Sequence, residues 1–247
     1  EILVAGSAYD VVRERRILAM FSDSGADGLL ICPAHDIKSA PTLQKAQLPF
    51  VLIGHQVNGV NAPSVEVDHF RAGEIAADHL FSRGCRDFFY VGGNNFIRDE
   101  RCGTVCSSGV GLARLGFQLT AEHILRSDSE NHQEMLPEIL RKLYSGKPTG
   151  IFCYHDLWAL RVLRAAHFCR LKVPDELAVM GMDDLPIAAE TLPSLSSIAY
   201  PLNLIASETL NQLESLHAGM PCTRQRILLE PNLIPRSSTH KKEELWR

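Results

Sequence analysis

Short apolar runs alternate with amphipathic stretches along the whole 247-residue chain, and few architectures accept that pattern. A run of four to six apolar residues has no polar face to offer water, so it reads as a strand covered on both sides. Glu1–Gly6, Gly28–Cys32, Phe50–Gly54 and Ser64–Asp68 are such runs in a first series. Between them a helix is predicted over Asp10–Ser24, with Asp10 as N-cap and Ile17, Leu18 and Phe21 on one face, and another near Lys38–Ala46. After Asp68, Phe70, Gly73, Ala77, Leu80 and Phe81 recur at helical spacing until Gly84. A second series places strands at Phe88–Gly92, His123–Arg126, Thr149–Cys153, Glu176–Gly181 and Ser196–Ala199. Its helices fall at Thr104–Leu115, Glu130–Tyr144, His155–Phe168 and Leu202–His217, before an extended segment Arg226–Ile234 and a charged tail His240–Arg247.

Parallel strands need long crossovers, and helices supply them. The expected fold is therefore α/β, with two Rossmann-like lobes built on parallel sheets. Ligands of such sheets sit beyond the carboxyl ends of the strands. That rule points to Ser7–Asp10, Gly54–Gln56, Gly93–Arg98, Tyr154–Asp156 and Met182–Leu185.

Several functions are disfavoured. A net charge of −4 suits a duplex-binding surface poorly, because such a surface neutralises phosphates with Lys and Arg. No apolar run nears the ~20 residues that span a bilayer, and no secretory signal is present. The seven cysteines are odd in number and several lie in apolar runs, as buried thiols in a reducing cytoplasm do. Cys102 and Cys106 lack a companion pair at metal-ligand spacing, and the histidines do not cluster, so neither metal nor cofactor is expected. There is no nucleophile elbow, P-loop or H-E-x-x-H. Asp183 and Asp184 are neighbours on an extended segment and point to opposite sides, which makes no acid–base dyad. A non-enzyme is expected.

The most informative stretch is Lys172-Val173-Pro174-Asp175-Glu176-Leu177-Ala178-Val179-Met180-Gly181-Met182-Asp183-Asp184-Leu185-Pro186. It is a turn into a buried strand whose carboxyl end presents a carboxylate. Phe152–Leu160 precedes it; Leu192–Ile198 and Leu233–Thr239 follow. In this order and spacing the four segments resemble the effector-binding core of the LacI/GalR family of bacterial transcription regulators. Ala26–Ile31, Leu48–Ile53, Val65–Asp68 and His79–Gly84 resemble the family's remaining strand and helix signatures, so the likeness covers about residues 1–239.

The resemblance implies a core like the type I periplasmic sugar-binding proteins. Residues 1–68 plus 202–231 would form the amino-terminal lobe, 69–201 plus 232–240 the carboxy-terminal lobe, and 241–247 a tail. The chain aligns from the family core's second strand onward. The helix-turn-helix and the first strand and helix are absent from it, so the amino-terminal lobe is incomplete, in either a fragment or a truncated gene product. The implied protein is a cytoplasmic repressor, a homodimer that binds a sugar-like effector between its lobes and reaches operator DNA only through the missing domain. The alternative is a periplasmic sugar-binding protein of a transporter.

Site residues carry over one by one. Asp183 matches the carboxylate that holds ligand hydroxyls or amides, with turn capping as the plainer reading. Phe152 matches an aromatic strand-end position, against ordinary core packing. Arg98 lies near a pocket arginine, or is a solvated side chain. Asp156 matches an aspartate at a helix start, for which capping is reason enough. His155 stands where many sugar-responsive members have Asn, and Tyr200 follows the strand Ser196–Ala199. Thr104, Ser107 and Ser108 replace an arginine and a Gly-aromatic pair, and threonine has no guanidinium fork; Arg101 is one turn earlier. These departures imply an atypical ligand or weakened binding.

Overall fold

The computed structural model describes residues 1–35, 37–92, 111–126, 132–220 and 224–240. Contacts divide the chain into two units: Glu1–Val67 with Pro201–Leu229, and Asp68–Tyr200 with the chain from Glu230 onward.

The first unit holds a four-stranded parallel sheet. Its strands are β1 (Leu29–Ile31), β2 (Phe50–Ile53), β3 (Ser64–Val67) and β9 (Arg226–Leu229), in the order β1-β2-β3-β9. Helix α1 (Val11–Asp23) starts where Asp10 accepts hydrogen bonds from the Val12 and Arg13 amides, at 2.7 and 3.0 Å. These satisfy donors that a helix start otherwise leaves open. Helix α7 (Leu202–His217) lays Ile205, Leu213 and Leu216 against Val51, Val65 and Ile227. Glu66 is buried on β3, yet it takes a forked pair from Arg226 of β9 (3.2 and 2.9 Å) and a hydrogen bond from the Ser64 hydroxyl (2.7 Å). The fork neutralises the buried carboxylate and ties together strands 160 residues apart.

Three local expectations change here. Glu1–Gly6 forms no strand, and Ile2 and Val4 are 88% and 90% exposed. A strand exists only through a partner, and no strand lies beyond β1 on its outer side among the described residues. The helix near Lys38–Ala46 contracts to α2 (Ala40–Leu43), because Lys45 and Ala46 turn tightly onto Thr42 and Leu43. The extended Arg226–Ile234 splits at Pro231, which has no amide to offer a ladder. Its second half becomes β10 (Asn232–Ile234) in the other unit.

The second unit holds a six-stranded sheet. Added to β10 are β4 (Asp87–Gly92), β5 (Ile124–Arg126), β6 (Thr149–Cys153), β7 (Leu177–Asp183) and β8 (Ser196–Ala199), in the order β10-β8-β7-β6-β4-β5. Only β10 runs antiparallel to its neighbour. Both faces are covered, which explains the continuous apolar runs. On one face α3 (His69–Ser82) sets Ala72, Ala76 and Leu80 against Phe88, Tyr90, Phe152, Met180 and Ile198. On the other, α4 (His132–Leu143) and α5 (Asp156–Cys169) cover Phe89, Val91, Ile151, Cys153 and Val179. Each large side chain buried this way contributes about 1.5–3 kcal/mol.

The last described residues are stitched into this unit. The Ser238 hydroxyl donates to the Val179 carbonyl (2.6 Å), and the Ser196 amide donates to the Ser238 hydroxyl (2.8 Å). Nε2 of buried His79 lies 2.8 Å from the Thr239 hydroxyl, and its ring stacks on His240. Burial, helped by the charges of His240 and Arg83, lowers His79 to a pKa of about 4. No helix among the described residues is long and apolar enough to cross a membrane.

Candidate functional site

The second unit's strands end together. At the end of β6 the chain turns through Tyr154 and His155 into α5. His155 is the N-cap: its backbone is extended and its Nδ1 accepts from the Trp158 amide at 3.2 Å. Burial lowers the His155 pKa, which favours the neutral ring, and with Nδ1 accepting, Nε2 carries the proton. The Tyr154 ring lies against it, centroids 4.0 Å apart.

Next to it, β7 ends in Asp183, and Asp183 and the following Asp184 both have left-handed backbone, φ 105° and 54°. Aspartate tolerates that region better than most residues, but each such position still costs about 1–3 kcal/mol and persists only where its surroundings fix it. Asp183 pairs in register with Ala199 of β8, and the hydroxyl of the next residue, Tyr200, favours the ionised Asp183 carboxylate. Burial first, and the nearby Asp156 charge second, push Asp183 up to a pKa of about 7, against the opposing pull of the Tyr200 hydroxyl. Tyr200 is itself raised, mainly by burial. Its ring meets the first residue of α3, His69, edge to face at 5.9 Å. Asp184 pairs with Arg236, Nη2 lying 2.7 Å from Oδ1 as a charge contact without hydrogen-bond alignment.

Asp183, Tyr200 and His155 therefore come to the carboxyl ends of three adjacent strands, with Tyr154 and His69 beside them. Two other expected residues do not present themselves there. Phe152 is 3% exposed and packs edge-on against Tyr90 in the α3-side core, so its ring faces no ligand. It precedes Cys153 on a strand whose side chains alternate between two covered faces. Asp156 is 0% exposed, and both its oxygens are taken: Oδ1 by the Ser197 hydroxyl at 2.6 Å, Oδ2 by the Leu185 amide at 2.7 Å. It neither caps α5 nor offers an acceptor outward; His155 does the capping. Arg98, Arg101, Thr104, Ser107 and Ser108 lie outside the described residues.

This edge can hold a donor-rich molecule: a carboxylate to receive hydroxyl or amine protons, a tyrosine and a neutral histidine to orient them, and aromatic rings to pack against. Among the described residues no group of three or more histidines, cysteines or acidic residues is placed to hold a metal ion. Tyr154 lies in the Tyr154–Asp156 strand end to which the sheet rule pointed, whereas His69 and Ser197 were not legible from motif or spacing. The sequence signal for Ser197 was its place in the predicted strand Ser196–Ala199.

A model of the periplasmic binding protein-like domain matches residues 77–239. The chain is 25% identical over 245 residues to the HTH-type transcriptional regulator DegA of Bacillus subtilis (strain 168), covering 97% of this chain and 72% of that protein. The crystal structure of the transcription regulator CcpA of Lactococcus lactis superposes with a TM-score of 0.83 at 22% identity, over 96% of this chain and 87% of that one. A complex of the transcriptional regulator CelR with cellobiose gives 0.77 at 21% identity, over 92% and 70%.

Proposed function

Because this chain belongs to the periplasmic-binding-protein-like domain family, we propose that it is the effector-sensing core of a LacI/GalR-type transcriptional regulator, not an enzyme. The observation that carries this reading is the meeting of Asp183, Tyr200 and His155 at one sheet edge, a binding geometry without an activated nucleophile. The effector is a neutral, hydroxyl-rich molecule of the sugar class, in keeping with a relative of the same fold held with cellobiose. Its hydroxyls donate to Asp183 and accept from the His155 Nε2 proton. The functional unit is a cytoplasmic homodimer, and operator contact comes from a segment outside residues 1–247.

Such a core regulates only if effector favours one conformation over another, and the shift it causes is limited by its difference in affinity for the two. Calorimetric titration with D-xylose, D-glucose, D-fructose and cellobiose tests the reading. At least one should bind, and Asp183→Ala should weaken it tenfold or more, as loss of a charged acceptor for buried hydroxyls does. Binding by none of the four, or binding indifferent to Asp183→Ala, refutes it.

A further inference from the structure

Among the described residues of the second unit Asp156 is the most deeply buried carboxylate, with no exposed surface for a ligand to meet. Its surroundings are nonetheless built around it. A Cβ on Gly181 of β7 would fall 2.1 Å from Asp156 Oδ1 and 3.0 Å from its Cα, so the strand carries glycine where the carboxylate lies across it. Oδ2 receives the Leu185 amide and Oδ1 the Ser197 hydroxyl. That same Ser197 oxygen accepts the Asp184 amide at 3.1 Å. Two successive amides of the turn after β7 are thus anchored, one directly and one through Ser197, on a carboxylate that enters from the end of β6. The turn so anchored is the one whose residues Asp183 and Asp184 hold left-handed backbone. Arg236 secures it from the other side through Asp184 and through its own bond to the Leu195 carbonyl at 2.8 Å.

We propose that Asp156 is a positioning residue: with Ser197 as relay and Gly181 as the space for it, it fixes the Asp183–Leu185 turn so that the Asp183 carboxylate stands at the ligand edge. This rests on the proposed effector site for its biological meaning, though not for its test. Charges facing Asp183 also follow. Asp156 from the β6 end opposes its ionisation, Tyr200 from the β8 end favours it, and Asp184 with Arg236 completes the charged groups around Asp156.

The test uses the 247-residue chain, with amide hydrogen exchange and carbon-13 carboxyl titration followed by NMR in the wild type, Asp156→Asn, Asp156→Ala and Ser197→Ala. Asparagine can accept the Leu185 amide and donate to Ser197, so Asp156→Asn should keep Leu185 exchange within threefold of wild type. With the charge removed, its Asp183 midpoint should fall clearly below the wild-type value. Asp156→Ala should accelerate exchange at Leu185 at least tenfold and Ser197→Ala at Asp184 likewise, both moving the Asp183 carboxyl resonance. Should Asp156→Ala not fold, Asp156→Asn and Ser197→Ala decide the matter. The proposal is overturned if the Asp183 titration is unchanged in the folded variants, if Ser197→Ala leaves Asp184 exchange as in wild type, or if a folded Asp156→Ala exchanges Leu185 no faster than wild type. No sugar enters these measurements, so failure to bind sugar would refute the proposed function and leave this inference standing.

Discussion

Replacing Asp183 by Asn should stabilise the second unit, and only above acidic pH. The raised pKa means that the ionised form is disfavoured in the folded state. The unfolded chain begins to ionise near the ordinary value of 3.8, the folded one near about 7. The stability that a neutral Asp183 allows is therefore fully present below pH 3.8, is lost as pH rises towards 7, and stays lost above it. Three pKa units correspond to an upper bound of about 4 kcal/mol. Asp183 is only partly buried, so water screens part of this, and the Tyr200 hydroxyl favours a neutral amide less than a carboxylate. About 1–2 kcal/mol should remain. For a unit of this size that is a rise in melting temperature of about 2–8 °C. Thermal unfolding of wild type and Asp183→Asn at half-unit steps from pH 3.5 to 8.5 measures it. The two should melt together at the acid end and part between pH 4 and 7. A difference constant across that range, or a variant less stable at pH 8, would refute the burial argument.

Three further outcomes are expected. His79 has its folded pKa lowered to about 4, so its contribution is present above about 6.5 and is lost as pH falls from there towards 4; His79→Gln should flatten that acid-side loss by about 1–2 kcal/mol in denaturant melts, and an unchanged slope would count against it. Gly181→Ala forces its methyl onto Asp156 and should lower stability by about 1–3 kcal/mol, read as a falling melting temperature; a neutral result would mean the carboxylate has room to move. Arg226→Met leaves Glu66 buried without its charge partner and should cost about 2–4 kcal/mol, whereas Arg226→Met combined with Glu66→Met should recover most of the loss.

The architecture was legible because it depends on hydrophobic period. Runs such as Phe50–Ile53 and Thr149–Cys153 have no polar alternation, and both prove to be strands covered on two faces. Glu1–Gly6 has the same composition and forms no strand, since composition sets the willingness to pair and the neighbouring chain decides it. The site was legible only in part. The place of Asp183 at a strand's carboxyl end was readable from local pattern. The fates of Phe152 and Asp156 turn on which way a side chain points at the end of a strand and on hydroxyls more than forty residues away, as the 41-residue separation of Asp156 and Ser197 illustrates. That His155 rather than Asp156 caps α5 is a one-residue shift, finer than periodicity resolves.

The pairing of β3 with β9 has a consequence for biosynthesis. During translation the ribosome completes β1, β2 and β3 early, but the strand that Glu66 grips through Arg226 emerges 160 residues later. At about 5–20 residues per second the wait is roughly 8–30 s. Throughout that interval the nascent first unit carries a raw β3 flank, an unpaired buried-type carboxylate and no α7 to cover Val51 and Val65. The unit encoded in between closes later still, on the bonds made by Ser238 and Thr239. The first unit therefore cannot be sealed before synthesis has passed Leu229, nor the second before it has passed Thr239.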